Sequence, residues 1–360
     1  MKSRDKFNNG VVPSRSNFLN NKIVVVDGLI GGGKGLISAI IGALPKVEMW
    51  VHSPKIEQIC AMHSLGHTST EGAEVLIKNW VDEEIVNLSI MRNINCRPSD
   101  MTSVFRDARP FRYLKRIFAK IGDASVQRII DEQSVLNLVT HANSAHSLPL
   151  FNALSERLVY IRITRCPMSE YMLNHLAKWS QRWGNDIRSG MMILHKIKNT
   201  NNELSDEVPF FMLHDEDRYL NASPIERAIL MLNEWQTRGD TVIDNLKKSS
   251  NATIIEVPYE KFVFEPHSYI NQIAVALETE VDQVTRKGMK KQKVPRASLT
   301  DAPKNKAYIR QGWTPASKKN QTTLEQFNAT REIYLNDTSV EFMQILDQIT
   351  ERYIERYNII

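Results

Sequence analysis

Cysteine is scarce in this chain of 360 residues, and the three present, Cys60, Cys96 and Cys166, lie far apart. They form neither a disulfide framework nor a Cys-x-x-Cys metal spacing, and a reduced compartment is the simplest reading. Long apolar runs are missing as well: Ile23 to Val26 is short, and no segment approaches the roughly 20 residues needed to span a bilayer. The first residues are polar and lack the apolar centre of a secretory signal. Residues 1–20 are expected to form a flexible leader, and the protein to be cytoplasmic with no membrane span. Excess charge of one sign is small, with 46 Lys and Arg against 41 Asp and Glu and a net charge of +5. Such a balance suits an anionic small molecule as well as nucleic acid and selects neither. There is no internal repeat or low-complexity block. A chain 42% hydrophobic and 24% charged is not disordered, collagenous or fibrous.

What is present alternates between two periodicities. Lys22 to Asp27 is a β-branched run with the length of a buried parallel strand. Glycines follow, then an apolar helix from Leu36 to Leu44 closed by Pro45. Further strands are predicted at Val47 to Val51, Val135 to Val139, Leu158 to Ile163 and Thr253 to Val257. Helices are predicted within Glu71 to Glu132, at Ser169 to Trp183, at Ser223 to Leu246 with Ser223, Pro224 and Glu226 as start signals, at His267 to Leu277, and from Thr323 to Tyr357. Residues 287–319 read as a basic loop. Strands alternating with helices predict an α/β, three-layer P-loop fold with a central, mostly parallel sheet flanked by helices. Length alone, at about 150 residues per domain, suggests two domains. The order of elements argues instead for one, residues 21–360, with a helical insertion over about 60–132 and an irregular one over about 184–222.

Gly28-Leu-Ile-Gly31-Gly32-Gly33-Lys34-Gly35 joins the first strand to the first helix and fits G-x-x-x-x-G-K. Glycines let backbone N–H groups curl around an anion, the helix start adds positive potential, and the lysine adds a formal charge. The residue after the lysine, which in nucleotide hydrolases and kinases supplies a hydroxyl to Mg²⁺, is Gly35. Ser38 lies a turn further on. The interior strands end in Val139-Thr140-His141, Thr164-Arg165 and Val257-Pro258, and Asp27 is the only aspartate at a strand end. A phosphate site without metal is therefore expected rather than an ATPase.

A loop of this kind, with Tyr160-Ile-Arg-Ile-Thr-Arg165-Cys-Pro167-Met-Ser-Glu-Tyr171 after it, resembles the sulfotransferases that use 3′-phosphoadenosine 5′-phosphosulfate. The resemblance implies that Gly31, Gly32, Gly33, Lys34, Gly35 and Leu36 hold the 5′ end of that co-substrate and that Arg165 binds its 3′-phosphate. Where the family places a serine eight residues after the arginine, this chain has Leu173, with Asn174 beside it; Ser169 is the candidate substitute. Val257-Pro-Tyr259-Glu260-Lys-Phe262 resembles a structural segment of the family, with Glu260 anchoring a backbone. Tyr308-Ile-Arg310-Gln-Gly312-Trp313 resembles its late loop over the 3′-phosphate, which implies roles for Arg310 and Gly312; Arg286-Lys287-Gly288 is the rival.

Sulfuryl transfer asks for in-line geometry, a cation on the bridging oxygen and a base near the acceptor. Lys34 is the expected cation. Glu48 and His52, beside the second predicted strand, and His141, at the end of the central strand, are the candidate bases; His146 lies nearby. The aromatic and basic segment Phe105 to Arg116 reads as a solvated helix face, and no nucleic-acid partner is expected. The expected activity is transfer of a sulfuryl group to a hydroxyl or amine of a small-molecule or saccharide-like acceptor, independent of metal. The alternatives are a small-molecule or nucleoside kinase using ATP and magnesium, and a non-catalytic member of the fold. The acceptor's identity and the oligomeric state are not legible.

Overall fold

The computed structural model describes residues 11–100, 102–198, 202–299, 301 and 322–359. Its centre is a five-stranded sheet in the order β2-β3-β1-β4-β7. The strands are β1 (Ile23–Asp27), β2 (Val51–His52), β3 (Leu136–Val139), β4 (Leu158–Thr164) and β7 (Thr253–Pro258), with β5 (Leu194–His195) and β6 (Val208–Pro209) forming a separate two-stranded ribbon. Every pairing in the main sheet is parallel. The fold is α/β with helices on both faces.

The β-branched runs make β1 and β4 because these strands lie inside the sheet, buried at every position. Alternate residues feed opposite layers, as the pleat requires. Val24, Val26, Ile161 and Ile163 pack with helix α1 (Lys34–Ile41) and the helix Pro266–Ala276. Ile23, Val25, Leu158 and Tyr160 pack with helix α3 (Thr70–Ser89). A third cluster joins the helices Glu170–Ser180, Pro224–Ser249 and Val340–Tyr357. The long helix from Pro224 starts as read, on a capping box in which Ser223 and Glu226 each accept from the other's backbone N–H.

Four elements differ from the sequence reading. The strand expected over Val47–Val51 shrinks to Val51–His52, because Val47 meets Val135 only as an isolated bridge, the Glu48 carbonyl is taken by the Asn137 side chain at 3.4 Å, and the register slips by one residue before Val51 pairs with Leu138. Arg112 donates to the Val47 carbonyl at 2.6 Å, and the Tyr113 hydroxyl accepts from the Met49 N–H at 2.6 Å. The helical region to Glu132 is interrupted after Ser89 and resumes as Pro110–Ile117 and Asp123–Glu132. The final helix is two, Thr323–Tyr334 and Val340–Tyr357, the second entered from Ser339. Residues 287–291, read as loop, complete the helix Gln283–Lys291, which Asp282 caps by accepting from the Thr285 N–H. Among the described residues no helix is long and apolar enough to cross a membrane.

Candidate active site

The glycine loop closes as a cradle. Gly31 and Gly33 sit at φ +86° and +105°, and a Cβ on Gly33 would fall 2.6 Å from the Tyr259 ring. Both positions demand glycine. Gly32 N–H donates to the Leu29 carbonyl, and the N–H groups of Leu36 and Ile37 both turn back to Gly33. Those of Gly31, Gly33, Lys34 and Gly35 have no acceptor among the described residues, and groups so placed at the start of α1 suit an anion. Lys34 is buried, and its ammonium donates to the carbonyls of Gly28 and Leu29, the latter at 2.8 Å. Burial lowers its pKa to about 8, with Asp27 and Glu57 opposing the shift. The cation is thus parked against its own loop at the edge of a cavity of about 450 Å³.

That cavity opens at the C-terminal ends of β1 to β4, the expected place in an open parallel sheet. Lys34, His52, Glu57, His141, Arg165 and His175 line it, together with Trp50, Trp179 and Trp183. His141 follows β3 on a loop fastened from below by Asp27. The Asp27 carboxylate accepts from Thr140 Oγ1 at 2.9 Å and Asn143 N–H at 3.0 Å on one oxygen, and from Ser144 Oγ at 2.5 Å on the other. Both oxygens of the only strand-end aspartate are therefore spent on positioning.

The structure brings His52 and His141 together around a residue the sequence reading omitted, Glu57 in the first turn of helix α2 (Pro54–Ser64). Glu57 Oε1 accepts from the His141 backbone N–H at 2.7 Å and lies 3.0 Å from His141 Nδ1 and 3.2 Å from His52 Nε2. The two ring nitrogens are 2.9 Å apart. With its Nδ1–H shared between Glu57 and His52 Nε2, His141 keeps the lone pair on Nε2, while His52 Nε2 and Glu57 Oε1 face each other as two acceptors at 3.2 Å. Burial and the Lys34 charge lower His141 to about 4, against the pull of Glu57. Glu57 is itself lowered to about 2 because the two imidazoles outweigh its burial. The ligand atoms of these three residues lie within 4.8 Å of one another, and two imidazoles with one carboxylate are a donor set a divalent transition ion accepts.

Other expected residues sit elsewhere. Glu48 is no base beside the acceptor: it is buried away from the cavity in a two-pronged ion pair with Arg116, at 2.9 and 3.0 Å. Arg112 and Arg116 hold its pKa below the ordinary 4.5 despite burial. Replacing it with alanine leaves Arg116 buried with the half-exposed Glu132 as its remaining charged partner and the Leu88 carbonyl at 3.5 Å. Glu48→Ala is expected to cost about 3 kcal/mol in urea denaturation. Because the folded carboxyl has the lower pKa, the Glu48 contribution is full above pH 4.5 and disappears as pH falls. His146 is also structural, buried and 2.8 Å from Ser64 Oγ.

Arg165 borders the cradle, donating to the Gly31 carbonyl at 3.2 Å and stacking on the Tyr259 ring at 4.3 Å. Glu260 braces the same loop by accepting from the Cys166 N–H at 3.1 Å and from the Tyr353 hydroxyl. Ser169 precedes the helix Glu170–Ser180, makes no side-chain capping bond and does not reach the cavity. Leu173 lies in the core, and Asn174 accepts from the Tyr334 hydroxyl at 2.7 Å. The face of this helix that meets the cavity carries Tyr171, His175 and Trp179. Their spacing of four was the available signal for His175. Arg310 and Gly312 fall outside the described residues.

No protein-family model matches the chain, and no curated protein matches it significantly. Among solved structures it is similar to the sulfotransferase domain of the Synechococcus PCC 7002 olefin synthase, at 14% identity over 91% of this chain and 99% of that one, with a TM-score of 0.37. It is similar also to the sulfotransferase STF9 from Mycobacterium avium, at 12% identity over 89% and 77% of the two chains and a TM-score of 0.36. The sulfotransferase domain of the curacin biosynthetic pathway is a third, at 10% identity over 88% and 98% and a TM-score of 0.36.

Proposed function

We propose that this protein transfers a sulfuryl group from 3′-phosphoadenosine 5′-phosphosulfate to a hydroxyl or amine of a small-molecule acceptor. The observation that carries the proposal is the meeting, in one cavity, of a glycine cradle with unspent N–H groups, the Lys34 ammonium and the His141–Glu57 pair. The cradle and Lys34 would hold the phosphosulfate, Arg165 a second anionic group of the nucleotide, and the Trp-lined side the apolar face of the acceptor, a sugar ring included.

In the step itself the acceptor oxygen forms a bond to sulfur while the bond from sulfur to the phosphate oxygen breaks. The acceptor proton passes to His141 Nε2, and the negative charge gathering on the departing phosphate oxygen is met by Lys34. Glu57 holds His141 in the tautomer that presents Nε2 as a base. In the empty site His141 is a poor base, lowered by burial and by Lys34. An anionic donor beside Lys34 offsets that repulsion and brings the imidazole closer to working range.

The phosphate cradle lacks a hydroxyl at Gly35, and Asp27 is already engaged, so the reading needs no magnesium. Thermal unfolding is expected to shift upward with adenosine 3′,5′-bisphosphate in the presence of a chelator. Ligand at about 100 times its Kd adds about 2.7 kcal/mol of stability. A shift with ATP and magnesium alone would favour the kinase instead. Sulfuryl transfer that stops in chelator and returns with a transition ion would reassign His52, Glu57 and His141 as metal ligands.

A further inference from the structure

His175 is 3% exposed, and neither ring nitrogen has a hydrogen-bond partner among the described residues. A buried polar group left so costs free energy, and its persistence calls for an explanation. Its position supplies one. His175 lines the cavity, and its Nδ1 is the nearest atom, at 3.5 Å, to where a side chain on Gly31 of the cradle would begin. Tyr171, on the same helix face, packs edge-to-face on the ring at 5.4 Å between centroids and fixes its plane. The ring thus stands beside the loop's unspent N–H groups with two nitrogens and nothing to bond.

We propose that His175 is an anion-binding residue of the cradle, and that it takes up a proton as a tetrahedral oxyanion, sulfate or phosphate, enters. One nitrogen would donate to the anion in a charge-assisted bond. The charged groups around it agree. Burial, Lys34 from α1, Lys178 and Arg182 from its own helix and its end, and His141 from the loop after β3 all keep the empty-site imidazole neutral, with a pKa lowered to about 3. Arg165 lines the same cavity. An anion placed among these cations reverses the sign of the local potential and favours the imidazolium. The bound state then holds one more proton than the empty one, so affinity rises as pH falls. The limit is about tenfold per pH unit, continuing toward the empty-site pKa.

The inference rests on the cavity's taking an anionic donor but not on which nucleotide carries it, so the test uses inorganic sulfate, whose charge is constant across the range. Sulfate binding to the full chain is to be measured by calorimetry from pH 5.5 to 7.5, in buffers of different ionisation enthalpy. Wild type is expected to bind more tightly toward pH 5.5 with net proton uptake. His175→Gln, which keeps a donor but cannot charge, should lose the uptake and the slope. His175→Phe should also lose about tenfold or more in affinity at pH 5.5. His141→Gln, whose own imidazole the anion also favours in the charged form, should keep most of both slope and uptake. Wild-type binding without proton uptake overturns the proposal even if every His175 variant fails to fold. A slope that survives in His175→Gln and vanishes in His141→Gln overturns it as well. Neither result touches the preference for the 3′-phosphorylated nucleotide, which fails or stands on its own titration.

Discussion

Lys34→Ala is expected to lower sulfuryl transfer by a factor of about 10² to 10³, the usual cost of removing one preorganised donor from developing negative charge. The ammonium now rests on the carbonyls of Gly28 and Leu29. These bonds keep a buried charge satisfied while the site is empty and give way when an anion arrives in the cradle. The alanine variant should still fold, because the two carbonyls belong to a loop at the cavity edge and can take water. Its melting temperature without ligand should stay within a few degrees of wild type, while the shift with adenosine 3′,5′-bisphosphate shrinks. Unchanged turnover would remove the cation from the mechanism and the proposed activity with it. The pH profile gives an independent check. Lys34 carries its proton below a pKa of about 8, so activity is present at neutral pH and falls as pH rises through 8. Lys34→Arg, whose charge persists, should flatten that alkaline limb even where it transfers slowly.

His141→Ala is expected to cost about 10² to 10⁴ in kcat, the range for a general base. Glu57→Gln tests how the base is held. Its carbonyl oxygen can still accept from the His141 backbone and ring, but the carboxylate charge that favours the imidazolium is gone. Turnover should fall by less than in His141→Ala, and the acid limb of the pH profile should move down. The sign follows from the charges: Glu57 raises the His141 pKa, against burial and Lys34, which lower it to about 4. An acid limb that stays in place in Glu57→Gln would detach Glu57 from the base. Substituting His52, which touches the same proton from the other side at 2.9 Å, should have a smaller effect than either.

Much of the framework was legible because it is local. Ile23 to Val26 is a continuous apolar run and Leu158 to Ile163 one broken only by Arg162, both too short for a helix core, and both became fully buried strands. The start of the long helix at Ser223 was written in its capping residues. The second strand was not legible, since Val47 to Val51 has the composition of a strand but slips by one residue against its neighbour between the Val47–Val135 bridge and the Val51–Leu138 pair, with Arg112 and Tyr113 from sixty residues further on bonded along its outer side. The aromatic and basic segment that supplies these two side chains reads as a solvated face, yet Tyr113 and Arg116 are buried and Phe111 and Phe118 point to solvent. Arg112 and Arg116 face inward because the Val47 carbonyl and the Glu48 carboxylate wait there, a reversal that no periodicity announces.

The sequence by itself determined the cradle: glycines where φ must be positive, a lysine at the helix start and no hydroxyl after it are properties of neighbouring residues. Only the tertiary structure decided which carboxylate meets the histidines, Glu57 rather than Glu48, and which residue of the following helix lines the cavity, His175 rather than Leu173. Those choices depend on how separate strands and helices are rotated about their own axes when they pack. That rotation is set by the whole core, so it cannot be read from any one segment.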